Sequence, residues 1–487
     1  MANAGEAIAR RAGVATVCSF VERADTGRDA VVTDREANVQ MEEVRIRAGW
    51  SRKELARRVN QRARIRGVHL NTDATRVRHW LAGQHPQPPV PALLSELFSE
   101  QLGYPITPVD IGLQETGEYK VGLRYSESVA ATVVAVTELG RYDMRRRGFL
   151  HKGTFLMVAT VAPSRDWLLA ILDATEPRPG SRLGEHQVSV IREAFADFQE
   201  ADAMHGGGYA RRALTEYLTG RVLPMLQDVD PDSEVGAALF AAAAEQTFLL
   251  GFMSVDDGRH ALAQRYLIQA LRLAQESGDA ALGANILTSM SNQARILGYP
   301  REALQLAITG RHGLARAFSP ACSAELWAAQ ARAHADLGDT KAAAHAVVES
   351  ERSFEHIDFD TQPEWTRFID GAYLSGQWAE TFADLQRPVE AARFARRSIS
   401  AAATQKRARR EALSQAALAR AGLARRDLDA ALRAAHRAID LSITVESSRC
   451  IAAVRDLRSR IGPYRAVTAA REFDDRAREV LAQASLN

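Results

Sequence analysis

Apolar residues recur at helical intervals through most of this chain. Met41, Val44 and Ala48 are spaced three and four apart and run into Gly49, which predicts a short helix with a glycine stop. Ser51 stands three positions before Glu54, the spacing of an N-terminal capping box, and opens a second helix over 52–59. Asp73 can cap a third over 74–81, because Val77, Trp80 and Leu81 share one face and Gly83 supplies the stop. Pro86, Pro88, Pro89 and Pro91 interrupt the chain, after which 92–102 predicts an amphipathic helix with Leu93, Leu94, Leu97 and Phe98 turned inward. Residues 1–36 lack a sustained period and are expected to be a weakly ordered leader.

From about residue 190 the pattern repeats. Aligning Gly208, Gly258, Gly298 and Gly338 places Ala213, Ala263, Ala303 and Ala343 five positions later, and Ala201, Gly251, Ser291 and Ala331 seven earlier. The series continues through Ala379, Ala391 and Ser398, then Ala419, Ala431 and Ala438, with Gln386 and Arg426 in the glycine place. Small residues on both sides of a tight turn describe two antiparallel helices in close approach. Such a hairpin cannot bury its apolar face alone, so successive hairpins are expected to stack into a solenoid with a concave side. Ile461-Gly462-Pro463-Tyr464 breaks the pattern, and 467–481 predicts a last helix that caps the open end.

Between these parts, Val129–Val136 and Phe155–Ala162 are apolar and β-branched enough for strands, while their flanks equally permit helices. The expected class is mainly all-α. The expected organisation is a leader (1–36), a helix-turn-helix domain (37–115), a connector packed on the next segment of chain (116–189), tetratricopeptide-like repeats (190–445) and C-terminal capping helices (446–487).

Composition sharpens this picture. With 46% hydrophobic and 25% charged residues the chain is neither disordered nor fibrous, and 7% aromatic residues alongside abundant alanine suit close-packed helices. Cys18, Cys322 and Cys450 are too far apart for a zinc ribbon or redox pair, which points to a reducing cytoplasm. The apolar run 237–253 contains Glu245 and Gln246 and reads as a buried helix, so no membrane partner is expected. Arg145-Arg146-Arg147-Gly148-Phe149-Leu150 imitates an export signal but lies deep within the chain. Between Val39 and Pro89, eleven Lys/Arg face four Asp/Glu, a local charge of +7; the whole chain carries +2, so the remainder sums to −5. That asymmetry points to an acidic partner for this module, with nucleic acid the leading choice. Arg396–Arg410 holds six basic and no acidic residues and is expected to be a solvated helix face.

Signatures of phosphate loops, dinucleotide folds, zinc proteases and serine hydrolases are missing, so neither an enzyme nor a cofactor is expected. Asp228, Asp230 and Asp232 open like a calcium loop, but Ser233 stands where glycine is needed and Leu239 where glutamate is needed. Gly206-Gly207-Gly208 reads as a tight turn, and His334 and His345 lack flanking metal ligands.

Ser51, Glu54, Leu55, Ala56, Val77, Trp80, Gly83 and Pro86 follow the pattern of Xre-type helix-turn-helix regulators, which this segment resembles. The stretch from Asn60 to Thr72 departs from it, being much longer than the usual turn. The repeats resemble tetratricopeptides, although the forty residues between Gly298 and Gly338 exceed that family's roughly 34. Glu54–Asn60, Val77–Gly83, Gly103–Leu113, Arg145–Leu150 and Gly206–Arg211 together resemble the actinobacterial Xre-tetratricopeptide regulators of the NsdA-like group of streptomycetes. The resemblance implies a cytoplasmic DNA-binding regulator, a repressor of differentiation or secondary metabolism, whose repeats sense a peptide, a small signal or a protein partner.

Within that reading, Thr75, Arg76, Arg78 and His79 form the arc expected in the major groove of double-stranded DNA, and Arg52, Lys53 and Arg57 are placed for phosphate. A homodimer is expected, with the capping helices a candidate for its surface, which one sequence does not locate. Asn285, Thr288, Asn292 and Arg295 of one repeat, with Glu325 and Arg332 of the next, are expected to line the polar groove. The alternative is a tetratricopeptide-type protein–protein interaction scaffold without sequence-specific DNA binding.

Overall fold

The computed structural model describes residues 37–65, 69–87, 89–104, 106, 108, 110–113, 121–126, 128–144, 155–173, 185–227, 229–231, 233–315 and 317–484. The leader, Cys18, Arg145–Leu150, Asp228 and Asp232 lie outside the described residues. The fold is all-α, with no strand among the described residues.

Helices α1 (Val39–Arg47), α2 (Arg52–Ile65), α3 (Ala74–Leu81) and α4 (Val90–Leu102) form a small module around its own core, with Met41, Leu55, Val59, Val77 and Phe98 fully buried. Gly49 and Gly83 stop α1 and α3 in the left-handed conformation, at φ 72° and 88°. Leu93, Leu94, Leu97 and Phe98 turn inward as the pattern predicts.

The two ambiguous apolar runs fold as helices, α5 (Val129–Met144) and α6 (Val158–Asp173). Their apolar faces pack on the hairpins of the repeats, which settles what periodicity could not. Trp167 of α6 is fully buried because Gly283 and Gly313 leave space for its indole; a Cβ at either position would collide with the ring.

Next come α7 (Glu185–His205) and α8 (Gly207–Tyr217), which continues through a π-helical turn at Leu218–Val222 into α9 (Leu223–Met225). The solenoid is then built of hairpins: α10 (Glu234–Asp256) with α11 (His260–Ser277), α12 (Ala280–Ile296) with α13 (Pro300–Leu314), and α14 (Pro320–Asp336) with α15 (Thr340–Glu355). Two more are α16 (Gly371–Asp384) with α17 (Pro388–Thr404) and α18 (Ala408–Ala424) with α19 (Leu428–Ser442). Helices α20 (Ser448–Ile461) and α21 (Thr468–Gln483) close the end. By length and composition α10 could cross a membrane, yet 78% of its apolar window is buried among the other helices.

The small-residue columns lie at the helix contacts. Ala263, Ala303, Ala343, Ala391 and Ala431 are fully buried, and Ser291 Oγ donates to the Ala303 carbonyl at 2.7 Å. Gly258, Gly298 and Gly338 take positive φ, and so do Gln386 (57°) and Arg426 (60°), so the turn survives the loss of glycine. The first unit departs from the alignment: Ala213 is exposed, and the left-handed turn residue is Gly206, not Gly208.

The solenoid also curls back on its own beginning. The Glu446 amide donates to the His205 carbonyl at 2.8 Å, the Gly207 amide donates to Asp256 at 3.1 Å, and Ser447 Oγ donates to the same carboxylate at 2.9 Å. A Cβ at Gly206 would run into the Glu446 carbonyl, and one at Gly207 into that of Met253. The triple glycine is therefore more than a tight turn, because it lets two backbones meet where the ends of the curl touch.

Arg396–Arg410 is corrected too. Arg396, Arg397 and Lys406 are exposed, but Arg409 pairs with Asp202 (2.7 Å) and Asp256 (2.8 Å), Arg407 pairs with Asp370 (2.7 Å), and Arg410 is buried. Half of the basic run faces inward and closes the curl. At the far end Ala470, Phe473 and Ala477 of α21 are fully buried where it packs on α19 and α20.

Candidate nucleic-acid interface and the interior of the repeats

Helix α3 is fixed at its start and along one side. The Asp73 carboxylate accepts from the Arg76 amide at 2.7 Å, while Val77, Trp80 and Leu81 bury the inner face. Thr75, Arg76, Arg78 and His79 are exposed on the outer arc, and none of these side chains makes a hydrogen bond or ion pair among the described residues.

Helix α2 is capped in part as expected. Ser51 Oγ accepts from the Glu54 amide at 3.1 Å, but Glu54 does not complete the box. Its carboxylate takes Arg57 in a two-pronged pair (2.7 and 2.8 Å) and Arg58 at 2.7 Å, and these bonds hold it down at about 2. Lys53 is exposed and has no ion pair among the described residues, Arg52 lies 4.0 Å from Glu42, and Arg57 is exposed with its fork shared with Glu54. Arg58, which sequence reasoning passed over, also stacks on Trp50 at 4.6 Å.

The long connection between α2 and α3 is partly an extension of α2 and is clamped at its base. Asn60 donates to the Thr72 carbonyl at 2.8 Å and accepts from the Thr72 amide at 2.9 Å. The insertion leaves from one end of this clamp and returns to the other, so α3 is seated without a short turn. Arg62 ties the module to the repeats, pairing with Glu100 and Glu96 of α4 (2.7 and 3.2 Å) and donating to the Tyr299 hydroxyl (2.9 Å) in the turn before α13. This anchor uses α2 and α4 and leaves the outer arc of α3 uncovered.

Residues 41–114 match the family model of the SP15 N-terminal domain. The match begins within α1 and ends just past Leu113, so it spans the four-helix module and none of the repeats. No curated protein sequence matches the chain.

The proposed groove residues divide. Asn285 and Thr288 are fully buried, Glu325 and Arg332 nearly so, which corrects the expectation of an open polar face. The inner helices approach too closely to leave one. Arg332 reaches across to α16, bonding Gln377 at 3.1 Å and pairing with Glu380 and Asp384, whose charges outweigh burial and raise its pKa. Glu325 accepts from the Tyr373 hydroxyl at 2.9 Å, and burial pushes it up to about 8. Asn285 has no hydrogen-bond partner for either side-chain atom.

Asn292 and Arg295 border a small cavity, ≈ 20 Å³ inside and ≈ 400 Å³ when the open space around it is counted, that Phe252, Tyr373 and Arg449 also line. The same three residues line a second, larger cavity beside Arg409 and Arg410, ≈ 60 Å³ inside and ≈ 630 Å³ when the open space at its mouth is counted. Sequence reasoning missed Arg410 and Arg449. The basic run was the available signal, but nothing local shows that α18 turns it inward.

Proposed function

We propose that this protein is a DNA-binding transcriptional regulator that reads duplex DNA with α3 and senses a ligand through its repeats. The observation that carries the reading is the outer arc of α3, with two arginines, a histidine and a threonine exposed and unpaired in a module of net charge +7. An arginine left free can donate two parallel hydrogen bonds to guanine, whereas one already forked onto a carboxylate must first give that pair up. Arg76 and Arg78 take the base-reading role. Lys53 and Arg52 take phosphate, and Arg57 contributes at the cost of its pair with Glu54.

A cytoplasmic location, action as a repressor and pairing of two copies on half-sites belong to this proposal. The test is duplex binding by the full chain over a salt series. Arg76→Ala and Arg78→Ala should weaken a cognate site by about 1–3 kcal/mol and relax base preference there. Lys53→Ala should weaken all sequences alike and flatten the salt slope by about one unit. Loss of salt-dependent binding to every promoter fragment would leave the interaction scaffold as the better reading.

A further inference from the structure

The larger cavity lies where the curl closes, between α10 of the early repeats and α16, α18 and α20 of the later ones. Its charged wall is unbalanced. Arg409 is matched by Asp202 and Asp256, and Arg407 by Asp370. Arg410 is only 9% exposed, yet its Nη1 has no hydrogen-bond partner and the nearest carboxylate oxygen, on Glu380, stands 3.9 Å away. Arg449 makes no hydrogen bond or ion pair among the described residues. Burial, together with the neighbouring Arg449, pulls Arg410 down to about 10 and outweighs the opposing charge of Glu380.

The other wall is aromatic. Phe252 and Phe368 lie 6.2 Å apart by ring centroids, Tyr373 meets Phe368 at 5.1 Å, and the Arg410 guanidinium sits 4.8 Å over the Tyr373 ring. Arg410 has only a long ion pair with Glu380, and Arg449 acts on Asp202, Asp256 and Glu380 through its charge without a hydrogen bond. Two guanidiniums with open donors beside an apolar, aromatic wall suit a carboxylate carried on an apolar body.

We propose that this cavity binds a carboxylate ligand with an aromatic or aliphatic body, Arg410 and Arg449 taking the carboxylate and Phe252, Phe368 and Tyr373 the apolar part. The ligand touches both ends of the curl, so its binding favours the closed solenoid. This gives a chemistry to the sensing half of the proposed function, while its test reads ligand binding alone and stands whether or not α3 binds DNA.

The carboxylate can belong to a small organic acid or to a peptide C-terminus, and the probes separate the two. Calorimetric titration of the full chain would use 3-phenylpropanoate, its neutral amide, a tetrapeptide ending in free phenylalanine, the same peptide amidated, and inorganic phosphate. Both free acids should bind and both amides should fail. A peptide binding far more tightly than phenylpropanoate identifies a peptide terminus, and equal binding identifies a small acid. Arg449→Gln removes a half-buried side chain that makes no hydrogen bond or ion pair among the described residues, so it should lower the melting temperature only slightly while weakening the acids about tenfold or more. Arg410→Lys should weaken them less, keeping the charge but losing the fork. Acids and amides binding alike, phosphate binding as well as the organic acids, no acid binding at millimolar concentration, or unchanged affinity in Arg449→Gln would each overturn the proposal.

Discussion

Arginine is used in opposite ways in two regions of this molecule. On the outer arc of α3, Arg76 and Arg78 are exposed and unpaired, held in position only by the helix they ride on. Inside the repeats, Arg332 and Arg409 are buried against two carboxylates each and link helices distant in sequence. The difference teaches that local charge is a poor guide to a partner until its pairing is known. The basic run at Arg396–Arg410 and the basic module look alike in one dimension, yet half of the former is internal mortar, whereas the latter presents Arg76 and Arg78 together on one exposed arc. Burying a charge is costly unless it is matched, so Arg410 and Arg449, which meet carboxylates only at longer range and keep donors open, form the exception on which the ligand inference rests.

The sharpest way to break this contrast is to remove an internal arginine. Arg409→Ala leaves Asp202 and Asp256 facing each other without their cation and should destabilise the fold by about 3–5 kcal/mol in denaturant unfolding. A loss below about 1 kcal/mol would mean that the curl is not held this way.

Glu325 probes the same interior by pH. Its folded pKa of about 8 lies above the unfolded value of about 4.3, so its contribution to stability is complete below the unfolded value and is lost as pH rises through about 8. Glu325→Gln should therefore flatten the fall of Tm between about pH 5 and 8, and the variant should be the more stable protein at the upper end. Parallel Tm curves would contradict the assignment.

Gly206→Ala tests the closure from the backbone side. The added methyl meets the Glu446 carbonyl at a residue with φ of 92°, so a loss of about 1–3 kcal/mol is expected, with faster amide exchange at the start of α20 than in α3. On the other side of the comparison, Arg76→Ala and Arg78→Ala should leave unfolding within about 0.5 kcal/mol of wild type, because nothing in the fold depends on them. The turns should give a small change of the opposite sign. Gln386→Gly and Arg426→Gly should each gain about 0.5–1 kcal/mol by relieving a left-handed side-chain-bearing residue.

Much of the fold was legible because its signals are local. Asp73, Gly49 and Gly83 act at the ends of their own helices, and the alanine columns report contacts within one hairpin. Gln386 and Arg426 show that the columns held even where the glycine had gone. The curl was not legible. Asp202 and Arg409 are 207 positions apart, and no period relates the early hairpin to the late one. For the same reason the groove residues were placed on the correct helices but given the wrong environment: phase tells which way a side chain points, whereas Glu380 closing on Arg332 is a property of the superhelix. The α3 arc needed no such knowledge, since its exposure is set by the buried stripe of Val77, Trp80 and Leu81 behind it.

The most direct measurement of the central claim is genomic footprinting of the tagged full-length protein beside an Arg76→Ala/Arg78→Ala double variant with unchanged thermal stability. Discrete promoter peaks for the wild type that vanish or lose their shared base pattern in the double variant are the predicted result. Wild-type protein without discrete peaks, or peaks that the double variant keeps in place and strength, would contradict it.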